Sequence, residues 1–215
     1  MSALTGVAFT AFGEQVKWAD MIGNLLGLAA LALGWRRSVL SWPVQLLAGA
    51  VLVVAFLGGQ APGMVGKQLI VIVTAAWGWA RWQRGSRDGG TVAVRFATWR
   101  ERALLVAGAA LGTAAVAGVF MAFPKLSWAP WLDAYIFVGT LTAMVAQARG
   151  WVEFWFAWIA VDLIGVPYSY THGYVFSALT FAIYFVLVLL GLRTWWLSTR
   201  TARPSFTENP QGVTA

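Results

Sequence analysis

The sequence predicts an all-α integral membrane protein of seven transmembrane helices, arranged as three, one and three, with its N-terminus outside and its C-terminus inside. Three observations lead there. Of the 215 residues, 60% are hydrophobic and 11% charged, where a soluble domain carries about 25% charged residues; mean hydropathy is +0.70. Seven stretches approach the roughly 20 mostly apolar residues that one membrane crossing needs. The chain also repeats itself at an offset of 113 residues.

In chain order, residues 1–17 lack a basic run ahead of an apolar core, so they are no ordinary signal peptide and read as an interfacial segment. Spans follow at 18–34, 40–58 and 65–82, a first three-helix unit over 18–82. Residues 83–102 are polar, Gly-rich and basic, a cytoplasmic loop. Span four, 103–123, is rich in Ala and Gly (ALLVAGAALGTAAVAGVF) with no polar side chain at membrane depth beyond the hydroxyl of Thr113, as suits a linker helix. Spans five to seven, 131–148, 152–170 and 174–196, make a second three-helix unit over 131–196. Residues 197–215 form a polar cytoplasmic tail with two prolines, expected to be disordered or loosely attached.

The cations test this count. With the N-terminus outside, twelve Lys and Arg fall inside: Arg36, Arg37, Arg81, Arg84, Arg87, Arg95, Arg100, Arg102, Arg149, Arg193, Arg200 and Arg203. Three fall outside, Lys17, Lys67 and Lys125. Cytoplasmic loops are enriched in Lys and Arg, and a missed span would scramble the alternation. The net charge of +7 therefore follows topology and is no sign of a nucleic-acid partner.

Sliding the chain by 113 residues aligns Trp18 with Trp131, Asp20 with Asp133, Arg36 with Arg149, Trp42 with Trp155, Gly78 with Gly191 and Trp82 with Trp195. Six marker matches in phase with the spans mean that spans one to three recur as five to seven. Three is odd, so directly joined copies would be inverted; the extra fourth span makes them parallel. Transporters built this way hold substrate near the bilayer midplane between their halves. The second span of each half is the natural site-former: SWPVQLLAGAVLVVAF, with Trp42, Pro43 and Gln45, and EFWFAWIAVDLIGVPYSY, with Trp155, Trp158, Asp162 and Pro167. A carboxylate at membrane depth is costly and marks a functional site by default, although a buried acid can also serve only to bond a neighbouring helix.

Other features carry less. The chain has no Cys and one His, His172, which excludes disulfides, thiolate metal sites and multi-histidine metal sites; His172 falls in a short outer turn and reads as solvated. Gly63-Met-Val-Gly66-Lys67 fails the phosphate-loop pattern, with Ala61 and Gln68 at two required positions. Gly23/Gly27 and Gly108/Gly112 suit close helix approach within the chain. Asp20 and Asp133 suit helix N-termini. Trp18, Trp82, Trp128, Trp131, Trp195 and Trp196 fall at span ends and read as interfacial anchors. The basic loop could meet anionic lipid headgroups, but topology already accounts for its charge.

SWPVQLL, GKQLIVIVTAAWGWARW, WIAVDLIGVP and GYVFSALTFAIYFVLVLLGLRTW together resemble the PnuC family of vitamin transporters, over nearly all of residues 18–196. Within it, WADMIGNLLGLAALALGWRRS, VRFATWRER and DAYIFVGTLTAMVAQARGWVEFWFAW are most similar to the actinobacterial RibM-type riboflavin transporters. The resemblance implies a SWEET-like fold of three, one and three helices, a homotrimer in the cell membrane, and facilitated diffusion of a vitamin later trapped by phosphorylation. It implies no cofactor, riboflavin being the transported substrate. Nicotinamide riboside members tend to carry Asn in the second span of each half, where this chain has Gly49 and Asp162. That departure counts against nicotinamide riboside, although a carboxylate would also favour its cationic ring.

Riboflavin presents a flat aromatic system suited to offset stacking, with a polar edge and a hydroxylated chain that need donors and acceptors. The spans offer few polar groups, among them Asn24, Gln45, Gln68, Thr74, Thr140, Thr142, Gln147, Asp162 and Tyr184. Gln45, Gln68 and Asp162 are the expected hydrogen-bond partners, Trp42, Trp155, Trp158 and Trp77 the expected aromatic surfaces, and Asn24 and Tyr184 second choices. Two other classes compete. A membrane enzyme needs a nucleophile–base pair or a metal cluster, and the spans hold one carboxylate away from their ends, Asp162, and no His, Lys or Cys apart from Lys67 near one end. An assembly subunit has no use for a polar, aromatic midplane site, and replacing Asp162 would then leave transport untouched.

Overall fold

The computed structural model describes residues 6–11, 13–58, 62–87, 93–127, 129–171 and 175–201. Among these are seven α-helices: α1 (Trp18–Trp35), α2 (Ser41–Gly58), α3 (Pro62–Arg87), α4 (Trp99–Ala122), α5 (Pro130–Ala148), α6 (Glu153–Thr171) and α7 (Val175–Thr201). A 3₁₀ turn, Pro124–Leu126, links α4 to α5. The helices overlie the seven apolar stretches, with α3 and α7 running on past them. His172 and Trp128 lie outside the described residues, as does the tail from residue 202.

One element departs from an all-helical reading. Strands β1 (Val7–Ala11) and β2 (Glu14–Lys17) form an antiparallel hairpin, pairing Val7 with Lys17 and Ala11 with Glu14. Gly13, at φ 82°, supplies the left-handed residue that its turn needs. Four- and five-residue strands are too short for alternating polarity to show in the sequence.

Helices α1 and α2 have 18 residues each, a rise of about 27 Å against a hydrocarbon core of about 30 Å. Trp99–Ala122 and Ala178–Thr199 are long and apolar enough to cross a membrane. On α4, Leu104 and Leu111 are 74% and 72% exposed, a large apolar surface of the kind that faces lipid. Its N-terminus is closed by a reciprocal cap: Thr98 Oγ1 accepts from the Glu101 amide, and the Glu101 carboxylate accepts from the Thr98 amide at 2.8 Å.

Helices α1, α2 and α3 pack in succession, and so do α5, α6 and α7; α3 meets α5 and α1 meets α7, closing a ring of six, while α4 lies against α5. The two triads are joined at one end by paired bonds. Trp82 Nε1 on α3 donates to the Gln147 carbonyl at the end of α5, and Trp195 Nε1 on α7 donates to the Trp35 carbonyl at the end of α1, each at 3.0 Å. Both indoles are buried. This corrects the reading of Trp82 and Trp195 as interfacial anchors; Trp18, Trp131 and Trp196 remain partly exposed.

Local structure recurs at the 113-residue offset. Trp42 meets Trp82 edge-on at 5.6 Å, and Trp155 meets Trp195 edge-on at 5.5 Å. Gly78 gives Trp42 the space that Gly191 gives Trp155. The α1–α2 turn places Arg37 at φ 56° and the α5–α6 turn places Gly150 at φ 67°. The Ser38 amide bonds Leu33 and the Trp151 amide bonds Ala146, each at 2.9 Å. Gly23, Gly27 and Gly112 pack closely on Leu52, Tyr184 and Val138, whereas Gly108 faces open space.

Candidate functional site

A cavity of about 210 Å³ lies inside the ring, lined from α1, α2, α5, α6 and α7. Helix α6 carries its chemistry at i, i+4 and i+8, so that Phe154, Trp158 and Asp162 form one stripe along its inner face. The start of α6 is fixed from outside. Glu153 accepts from the Ala97 amide at 2.9 Å and from Arg102 Nε at 2.7 Å. Arg95 pairs with Trp151 in a short parallel bridge, its amide bonding Gly150 and its carbonyl accepting from Val152, both at 3.0 Å. The end of the basic stretch is therefore an ordered strap across the α5–α6 turn.

Asp162 is 1% exposed, and neither carboxylate oxygen has a hydrogen-bond partner among the described residues. A buried carboxylate without partners is expensive, so its place on a cavity wall points to a ligand rather than to helix–helix bonding. Tyr184, also on the wall, donates to the Asn24 carbonyl at 3.0 Å. The Ser41 hydroxyl and Trp42 Nε1 are buried without partners among the described residues. Among the described residues the lining contains no Lys, Arg or His.

Of the residues singled out from the sequence, the cavity brings together Trp42, Gln45, Trp158, Asp162 and Tyr184. The other four stand elsewhere. Trp155 is fully buried behind the wall, packed against Trp195 and Gly191. Gln68 lies beside Gly49 between α2 and α3. Trp77 is 41% exposed on the outer surface of α3. Asn24 is not part of the lining, and its carbonyl accepts from Tyr184 on the wall. Ser41, Gln147, Phe154 and Phe181 also line the cavity and were not selected. The i, i+4, i+8 spacing from Asp162 would have found Phe154, and the same spacing back from Gly49 through Gln45 would have found Ser41. The cavity supplies one acidic acceptor, several neutral polar groups and aromatic faces: suited to a flat, uncharged or cationic molecule, and poorly suited to an anion.

Three comparisons bear on this arrangement. The family model described as nicotinamide mononucleotide transporter matches residues 17–197. The riboflavin/roseoflavin transporter RibM of Streptomyces davaonensis is 55% identical over 95% of this chain and 97% of its own length. The nicotinamide riboside transporter PnuC of Escherichia coli is 22% identical over 92% of each chain. A crystal structure of the vitamin B3 transporter PnuC superposes with a TM-score of 0.68 at 17% identity, covering 86% of this chain and 83% of that one, a likeness of fold. The match over residues 17–197 and the 55% identity leave one assignment: the chain belongs to the nicotinamide mononucleotide transporter family, the PnuC family of vitamin transporters that its sequence resembles.

Proposed function

We propose that this protein imports riboflavin and related flavins by facilitated diffusion, alternating access around the cavity between two parallel three-helix repeats. It is a multi-pass protein of the cell membrane, N-terminus outside and C-terminus inside, with a SWEET-like arrangement of three, one and three helices, working as a homotrimer. The observation that carries this reading is the inner stripe of α6, where Trp158 and the unpartnered Asp162 face one cavity. An indole face suits the flavin ring, and a carboxylate suits its polar edge or its hydroxyls. The recurrence of local structure at 113 residues supports the parallel repeat. Identity of 55% to a riboflavin/roseoflavin transporter, against 22% to a nicotinamide riboside transporter, supports the substrate. Because its relatives are transporters, an enzymatic role is set aside.

The test is titration of purified protein with riboflavin, following quenching of flavin fluorescence, with nicotinamide riboside as competitor. Saturable quenching that nicotinamide riboside does not displace, and that weakens on Trp158→Ala or Asp162→Asn, is the expected result. The second reading, a nicotinamide riboside carrier, is favoured by one observation, an acid facing a cavity without a counter-cation, which suits a pyridinium ring. Direct binding of nicotinamide riboside without flavin quenching would establish it instead. Transport without coupling predicts that riboflavin in sealed liposomes equilibrates and does not accumulate; uphill accumulation would overturn it.

A further inference from the structure

We infer that the cavity has two chemically distinct walls: α2 holds the hydroxylated chain of the substrate through Ser41 and Gln45, while α6 and α7 hold the flat ring between Phe154, Trp158 and Phe181. This rests on the flavin reading above. The two walls occupy equivalent positions in the halves yet carry opposite chemistry. At the 113-residue offset Ser41 corresponds to Phe154 and Gln45 to Trp158, and all four line the cavity. At a third equivalent pair, Gln68 and Phe181, only the aromatic member reaches it. A binding site kept symmetric would show the same residue type on both sides; at these pairs the second half carries the aromatic member and the first half the polar one, with Trp42 of α2 and Asp162 of α6 lining the cavity beside them.

The polar wall has an unmet requirement. Ser41 is 2% exposed and its hydroxyl has no partner. Gln147, at the end of α5, lines the same end of the cavity. Trp42 Nε1 is unpartnered too, but so is Trp155 Nε1, which does not line the cavity; that feature belongs to the repeated Trp–Trp–Gly packing and adds nothing here. From Phe154 to Asp162 the α6 stripe rises about 12 Å. It offers an elongated ring two aromatic contacts with an acceptor beyond them. Hydroxyls pointing across to α2 would meet one serine and one amide, groups that both donate and accept, as a polyol requires.

Lumiflavin, the same ring system with a methyl group in place of the hydroxylated chain, separates the walls. Ser41→Ala and Gln45→Ala are expected to weaken riboflavin binding about three- to tenfold each, the worth of one hydrogen bond, and to weaken lumiflavin far less. Phe154→Leu and Trp158→Ala are expected to weaken both ligands together. Lumiflavin binding by the α2 variants also reports that they are folded. Equal losses of both ligands on Ser41→Ala and Gln45→Ala, or no loss of either, overturn the assignment of α2 while leaving riboflavin as substrate. Failure of the unaltered protein to bind riboflavin at all overturns the flavin reading itself, and this assignment with it.

Discussion

Asp162 sets stability against binding. Its carboxylate is buried with neither oxygen bonded, and such a group costs about 1–3 kcal/mol or more, the larger figure when charged. Asp162→Asn removes the ionisable group at nearly constant shape, so it should raise the thermal unfolding midpoint of the ligand-free protein in detergent while weakening flavin binding. A lower midpoint would mean that Asp162 has a structural partner. Gly78 makes a second residue-scale test. A methyl there would collide with the buried indole of Trp42, a rigid group without room to yield, and such overpacking costs about 1–3 kcal/mol. Gly191→Ala should cost as much by pressing on Trp155. Only Gly78→Ala should also weaken ligand binding directly, since Trp42 lines the cavity and Trp155 does not. The sequence matched Trp42 with Trp155 and Gly78 with Gly191 across the repeat, but showed neither the packing of each indole on its glycine nor that difference. In a helix apolar all round, hydrophobic periodicity does not mark the inner face, so Trp155 and Trp158 looked alike, as did Trp77 and Trp42. Asp162 was legible because polarity at membrane depth is rare enough to stand out.

At the scale of elements, the helices were readable because the bilayer fixes their length, and the connections were not because nothing comparable constrains them. The strap at Arg95–Thr98 is held by long-range backbone pairing to Gly150 and Val152, which leaves no local pattern. Its charges do more than obey topology. Arg95 holds Glu101 through two hydrogen bonds of 2.8 and 2.7 Å, and that contact, with the Thr98 amide, lowers the Glu101 carboxyl from 4.5 to about 2. A carboxyl whose folded value is depressed contributes stability above its ordinary value and loses it as pH falls toward the folded value. The strap and the α4 cap should therefore loosen between about pH 4.5 and 2. Hydrogen exchange of amides at 95–101, taken relative to the intrinsic rate at each pH, is expected to rise across that window in the unaltered protein. In Glu101→Gln it should be elevated already at pH 7 and change little on acidification. An unchanged exchange profile in both proteins would show that the cap is held by other contacts. Trp82 and Trp195 teach the same lesson at the helix ends: position alone suggested the membrane interface, but each indole N–H is used to join one triad to the other.

For the whole molecule, orientation decides which end of the cavity opens first. In the orientation proposed above, with twelve cations inside and three outside, Ser41, Phe154 and Gln147 would stand at the cytoplasmic end and Asp162 farther toward the outside. The paired Trp82 and Trp195 bonds lie at the same end of the helices as Ser41, Phe154 and Gln147. In this orientation a flavin entering from outside meets the carboxylate first, and the bonds between the triads stand across its exit. The chain has no Cys, so single reporters can be placed without removing a native thiol. Lys17→Cys at the end of β2 and Arg84→Cys near the end of α3 both sit at exposed positions, at opposite ends of the molecule. In intact cells a membrane-impermeant maleimide should label the first and not the second, and after permeabilisation it should label both. The reverse pattern would turn the molecule over: the unpartnered acid would then face the cytoplasm and the indole bonds would guard entry instead of exit. Labelling of both in intact cells would mean that the two ends are not separated by the membrane, and the seven-span reading would fail with the orientation.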